Sequence, residues 1–270
     1  MEPSQRVVPE LSYLICTVPR SGSYLLAEAL ESTGIAGQPK EYFDRRLVEF
    51  WDTRLARLPD VSADLPLLDK ILMAGTTPNG VFGAKVHWYQ FAEFGEDLLR
   101  DSPEPRCSLK RRIAGVLPGI RYVWLRRRDK IRQAISYYRA IKTDVWWDIK
   151  RHLPPDTQAH SQPEFDFAAI QALLQLIDSY EAHWQDYFRA CHLQPMVLFY
   201  EDVASDVETA TRSVLQYLNI GEASTVRVAP PRLRKQADHL TELWIASYRA
   251  ARETAMGDGA AASVGDDWAD

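Results

Sequence analysis

Cysteine is scarce: Cys16, Cys107 and Cys191 are the three in 270 residues, odd in number and far apart. That excludes a disulfide framework and a Cys-rich zinc site, and it points to a reducing cytoplasm. Long apolar runs are missing. None approaches the roughly 20 residues that cross a bilayer, and residues 1–10 are polar with no apolar signal core. Positive charge is not in excess. The formal net charge is -5, so no global basic field draws the chain to nucleic acid or to an anionic membrane. Anion binding must come from local clusters. No metal-ligand spacing stands out, and none is expected. The Walker A pattern is also absent, since no glycine is followed four residues later by Gly-Lys-Ser/Thr where a phosphate loop would sit.

What is present reads as an ordinary globular chain, 46% apolar and 26% charged. Its length allows a sizeable core. Residues 1–10 read as a flexible N-terminus, 11–252 as one domain, and 253–270, rich in Ala, Gly and Asp, as a frayed or disordered tail. Strand patterns fall at Leu11–Thr17, Val81–His87, 120–126 and 196–200. Helical patterns fall at Ser23–Ser32, 44–58, 66–74, 129–148, 165–191, 203–218 and 233–251. Such alternation predicts an α/β fold, a parallel sheet with helices on both faces. Ligands of such sheets sit beyond the carboxyl ends of the strands. Arg20, Lys85, His87, Arg126 to Arg128 and Tyr200 all fall there.

The first strand stops at Pro19, and Arg20-Ser21-Gly22-Ser23 leads into a helix. The first N–H groups of a helix lack intrahelical partners and point into the preceding loop. Arg20 adds a guanidinium beside them. The loop therefore suits phosphate or sulfate, but it lacks the lysine that reaches a γ-phosphate. The plainer alternative is a strand–turn–helix with a surface arginine. A second basic cluster, Arg126-Arg127-Arg128, ends the third strand, and Ser136 follows about two turns into the next helix. Arg127 or Arg128 could pinch an anion with Ser136; a solvated basic strand end is the alternative. Two anion sites on one sheet suggest a nucleoside phosphorylated at both ends.

At this point the chain resembles PAPS-dependent sulfotransferases, with the closer likeness to bacterial trehalose 2-sulfotransferases. PAPS is 3′-phosphoadenosine 5′-phosphosulfate. The matching blocks run in order. They are Arg20-Ser21-Gly22-Ser23 with Leu25-Leu26, then Thr33-Gly34-Ile35-Ala36-Gly37-Gln38-Pro39-Lys40-Glu41-Tyr42-Phe43. Thr77-Pro78-Asn79-Gly80 continues through Lys85-Val86-His87-Trp88. Arg127-Arg128-Asp129 leads to Gln133-Ala134-Ile135-Ser136, then Arg139-Ala140 and Val145-Trp146. Arg234-Lys235-Gln236-Ala237-Asp238 and Trp244 come last.

The resemblance implies the P-loop-NTPase-like sulfotransferase fold, and PAPS as cosubstrate with PAP as product. Arg20, Ser21, Gly22, Ser23 and Tyr24 would hold the 5′-phosphosulfate. Arg127 or Arg128 with Ser136 would hold the 3′-phosphate. Tyr200 would lie near adenine, and Arg234, Lys235 and Gln236 would close over the nucleotide. Glu41, after its Gly-x-Pro turn, is the expected general base. His87 is its rival, because Lys85-Val86-His87 also resembles the Lys-x-His of cytosolic aryl and alcohol sulfotransferases. Lys85 and Arg20 suit charge stabilisation, the main demand of an in-line group transfer. Tyr42, Phe43, Trp88 and Trp146 are candidate platforms for the apolar faces of a sugar, with core packing as the alternative; Trp147 flanks them. The expected acceptor is a hydroxyl of a carbohydrate-type molecule, and a homodimer is compatible with the resemblance. A small-molecule kinase and a catalytically inactive nucleotide-binding relative are the competing functions.

Overall fold

Four short apolar segments pair side by side; three of them are buried along most of their length, as strands covered by helices must be, while the fourth lies at the sheet edge and is partly exposed. In the computed structural model they are β1 (Leu11–Thr17), β2 (Val81–His87), β3 (Arg121–Arg126) and β4 (Met196–Phe199). The description covers residues 8–58, 61–100, 106–144, 146, 163–221, 225–230 and 239–262. All pairings are parallel and the order is β2-β1-β3-β4. The chain leaves β1 for β2 on one side and resumes at β3 on the other. That reversal is a topological switch point at the carboxyl ends of β1 and β3, the place where open α/β sheets bind ligands.

The helices are α1 (Ser23–Ser32), α2 (Val48–Leu55), α3 (Leu67–Gly75), α4 (Trp88–Leu99), α5 (Arg106–Val116), α6 (Lys130–Thr143), α7 (Phe167–Ala190), α8 (Tyr200–Ser205), α9 (Val207–Tyr217) and α10 (His239–Ala262). β1, β2 and α1 have the bounds read from the sequence. The expected helix at 44–58 is instead a 3₁₀ turn, Arg45–Leu47, followed by α2, because Asp44 caps the turn by accepting the Arg46 N–H at 3.0 Å. The expected helix at 203–218 is two helices. Asp206 leaves helical geometry at φ -148 and accepts the Thr209 N–H at 2.9 Å, starting α9 afresh. Tyr200 opens α8 rather than closing β4. α4 and α5 escaped the sequence reading. α10 continues to Ala262, through alanine-rich residues expected to fray.

The residues group into two compact units. The first comprises Met1–Arg128 and Asp178–Pro231 and holds the whole sheet. Its core joins Tyr13, Ile15, Leu26, Leu30, Val123, Leu125, Val214 and Leu215, all nearly or fully buried. Trp184 anchors the end of β1 by donating its indole N–H to the Thr17 carbonyl at 3.0 Å. The second comprises Asp129–Ile177 and Arg232–Asp270. Within it Trp244 packs on Tyr138 and Phe165, and Arg132 binds Glu242 through two hydrogen bonds of 2.6 and 3.0 Å.

Candidate active site

β1 delivers the chain into a tight loop. Arg20 at φ 63 and Gly22 at φ 79 both adopt the left-handed conformation on the way into α1. Gly22 is the N-cap of α1 and supplies no side-chain cap, so the helix N-terminus keeps its partial positive charge for a ligand. A side chain at position 22 has no room: its Cβ would lie 2.5 Å from Tyr200 Cε2 and nearer still to Cδ2. The Ser21 hydroxyl bonds that of Thr17, which reaches the Leu125 carbonyl at 3.2 Å. Ser21 is fully buried. Its hydroxyl therefore staples the loop to β1 and, through Thr17, to β3. Ser23 is also buried.

β2 lies beside β1 with Thr17 opposite His87 and Ile15 opposite Lys85. This register puts the loop next to the Lys-x-His segment. Glu41 reaches the same place by a different route. Gly37, at φ 68, lets the chain after α1 lie against the backbone of Gly83 and Gly75, where a Cβ would collide. Lys40 then bridges to Ala84, and the Lys85 N–H donates to the Lys40 carbonyl at 2.9 Å. Trp51 donates its indole N–H to the Glu41 carbonyl at 2.9 Å.

The side chains converge. The Lys85 ammonium donates to Glu41 Oε1, and His87 Nε2 lies 3.7 Å from the same oxygen. Gln90 Nε2 donates to Glu41 Oε2 at 2.9 Å. Lys85 Nζ also lies 5.9 Å from the centre of the Tyr24 ring on α1, linking the carboxylate to the loop. Burial would raise the Glu41 pKa. The Lys85 charge and the His87 ring outweigh it, by attraction and hydrogen bonding, and hold the carboxyl well below its ordinary range. Glu41 therefore stays ionised.

The three arginines after β3 part company. Arg126 binds Glu181 at 2.6 and 3.1 Å and stacks over Trp124. Arg127 turns toward the loop, donating Nη1 to the Arg20 carbonyl at 3.0 Å with its guanidinium 4.8 Å from the Tyr200 ring centre. Arg128 is clasped by Asp202 through two 2.7 Å hydrogen bonds, and its backbone N–H donates to Glu201.

A family model described as Stf0 sulphotransferase matches residues 12–251. The chain belongs to the Stf0 sulphotransferase family. It is 28% identical over 262 residues to trehalose 2-sulfotransferase of Mycolicibacterium smegmatis, covering 88% of this chain and 94% of that one. It is 27% identical to trehalose 2-sulfotransferase of Mycobacterium tuberculosis, with the same coverage. Among solved structures it is similar to the sulfotransferase domain from the curacin biosynthetic pathway. That match has a TM-score of 0.50 at 14% identity, over 86% of this chain and 79% of that one. The fold is thus the P-loop-like sulfotransferase fold, and the protein is a sulfotransferase rather than a small-molecule kinase.

In this sulfotransferase the aromatic candidates divide. Tyr42 is 3% exposed, packs on Trp51 and Phe82, and donates its hydroxyl to the Gln38 carbonyl. Phe43 is 8% exposed and stacks on Phe94. Both rings pack in the core, the alternative the sequence left open beside a sugar platform. Trp88 stacks on His183, with its edge against Trp184. Trp146 is exposed, and its indole N–H donates to Asp144. Ser136 lies on α6 in the second unit. Arg234, Lys235, Gln236 and Trp147 lie outside the described residues. The sequence reading missed Gln90 and Asp44. Their signal was a glutamine three positions after His87, the spacing of a capping pair, and a carboxylate three after Glu41.

Among the described residues no group of three or more His, Cys, Asp and Glu could hold a metal ion, and no helix is long and apolar enough to cross a membrane.

Proposed function

We propose that this enzyme transfers the sulfuryl group of PAPS to a hydroxyl of a carbohydrate-type acceptor, with Glu41 as general base. PAPS supplies an activated sulfuryl group and leaves as PAP. The loop of residues 20–23 fits such a donor: it presents a helix N-terminus without a side-chain cap, flanked by Arg20, and Tyr200 and Arg127 wall it. Glu41 accepts the hydroxyl proton as the new oxygen–sulfur bond forms. Lys85 and Arg20 offset the charge that builds on the bridging oxygen as its bond to sulfur breaks. Arg127, turned to the loop, is favoured over Arg128 for the nucleotide; its partnership with Ser136 rests on the family resemblance.

The observation that carries this reading is the pairing of an ionised Glu41 with Lys85, on the strand next to the anion loop. Glu41 is preferred to His87 as base on the family resemblance, and His87 is the neighbour that helps keep it ionised. The trehalose 2-sulfotransferases, matched along 94% of their length, support a sugar acceptor.

The test is incubation with PAPS and a carbohydrate panel that includes trehalose, following PAP release and the acceptor's gain of one SO₃ by mass spectrometry. Acceptor-dependent PAP release is expected. PAP should also raise the melting temperature without Mg²⁺, whereas ATP with Mg²⁺ should not. PAP binding with no turnover on any acceptor would favour an inactive relative.

A further inference from the structure

Gln90 sits in the first turn of α4 with no exposed surface. Its carboxamide is held at both ends. Oε1 accepts the backbone N–H of His87 at 2.9 Å, so the amino end must face the other way. That end donates to Glu41 Oε2 and to Asp44 Oδ2, each at 2.9 Å. Asp44 is 2% exposed and is fixed in turn by Arg46, whose Nε and Nη2 donate to its two oxygens at 2.9 and 2.6 Å.

This chain of contacts does something Lys85 cannot. The last torsion of a glutamate is broad and sets no orientation by itself. Lys85 and His87 both approach Oε1 and leave rotation about that contact. Gln90 takes the second oxygen, and two anchored oxygens define one carboxylate plane. We infer that Gln90 is a positioning residue for sulfuryl transfer: its amide, braced on Asp44 and on the His87 backbone, sets the plane in which Glu41 meets the acceptor hydroxyl. The amide has a second effect. Two neighbouring carboxylates repel, and one tends to take a proton. A single NH₂ donating to both offsets that repulsion. Burial would raise the Asp44 pKa, yet the hydrogen bonds from Arg46 and Gln90 lower it.

The inference rests on Glu41 being the base, so the experiment includes Glu41→Gln beside Gln90→Glu and Gln90→Met. Gln90→Glu keeps an oxygen for the His87 N–H, so the start of α4 stays closed. As a carboxylate it donates neither hydrogen bond and adds a negative charge beside Glu41 and Asp44. Gln90→Met loses the oxygen as well. If Gln90 positions Glu41, both Gln90 variants lower kcat by about tenfold or more, with KM for PAPS within about threefold of wild type. Both should also move the acid limb of kcat/KM toward neutral pH, because a carboxylate that loses a donor is easier to protonate. A residue that merely caps α4 predicts otherwise: the neutral Gln90→Met would keep the kcat and the acid limb of wild type and would lose melting temperature above all. That result overturns the inference, as does normal kcat with an unmoved acid limb in either variant. Loss of turnover in Glu41→Gln with a normal Gln90→Glu removes only the role of Gln90. Full turnover in Glu41→Gln removes the base assignment itself.

Discussion

The ring of Tyr200, the first residue of α8, fills the space that a side chain at Gly22 would need. Gly22 also holds a left-handed conformation at φ 79. The loop thus relies on glycine twice, once for its backbone and once for close approach. Gly22→Ala should cost about 1–2 kcal/mol from backbone strain, with more from displacing Tyr200. Thermal melts with and without PAP would read both effects, and a PAP-induced shift much smaller than that of wild type is expected. An unchanged shift would mean that the loop does not touch the nucleotide.

Glu41→Gln should retain PAP affinity and lose turnover by about 10²–10⁴-fold. Its pH dependence has a defined sign. The folded pKa of Glu41 lies well below its ordinary value. Its contribution to stability is therefore complete above the ordinary carboxylate range and is lost as pH falls through the folded value. Melting curves of wild type and Glu41→Gln should differ most near neutral pH and converge in acid. Isothermal titration with PAP supplies the affinity.

Lys85→Met removes the cation that holds Glu41 ionised. The Glu41 pKa should rise, and the acid limb of kcat/KM should move toward neutral pH. Turnover at the optimum should also fall, because Lys85 is assigned to the bridging oxygen. A pH–rate profile that drops without moving would separate that role from the support of Glu41.

Arg127 and Arg128 are adjacent, yet they should respond differently. Arg127 faces the loop and Tyr200, while Arg128 is clasped by Asp202. Arg127→Ala should weaken PAP binding by about tenfold or more, the scale of a lost charge-assisted contact. Arg128→Ala should leave PAP affinity nearly unchanged and shift the melting temperature little, since it breaks an exposed ion pair. Equal losses in titrations of the two variants would cancel this assignment.

Local pattern carried much of the fold. The apolar run Leu11–Thr17 ends at a proline and a glycine-containing loop, and the spacing of Leu26, Ala29 and Leu30 marks the buried face of α1. Both elements have the limits read from the chain. The breaks at 44–47 and at Asp206 were less legible, because each depends on an aspartate side chain choosing a nearby N–H over the helix. Tyr42 and Phe43 looked like ligand platforms because they adjoin Glu41. Only their neighbours Trp51, Phe82 and Phe94 show that their rings pack inward.

The sequence by itself determined the elements that near neighbours dictate: apolar strands, a small-residue loop opening a helix, and basic residues at strand ends. It also named Glu41, Lys85, His87 and Arg127 as candidates. Tertiary structure alone decided which of them meet. Lys85 and Glu41 stand 44 positions apart, and Gln90 and Glu41 stand 49. They touch because β2 pairs with β1 in one register and the chain before Glu41 lies along β2. Periodicity records which face of an element is buried, whereas partners across a sheet are chosen by strand order and packing, which no local stretch of the chain encodes.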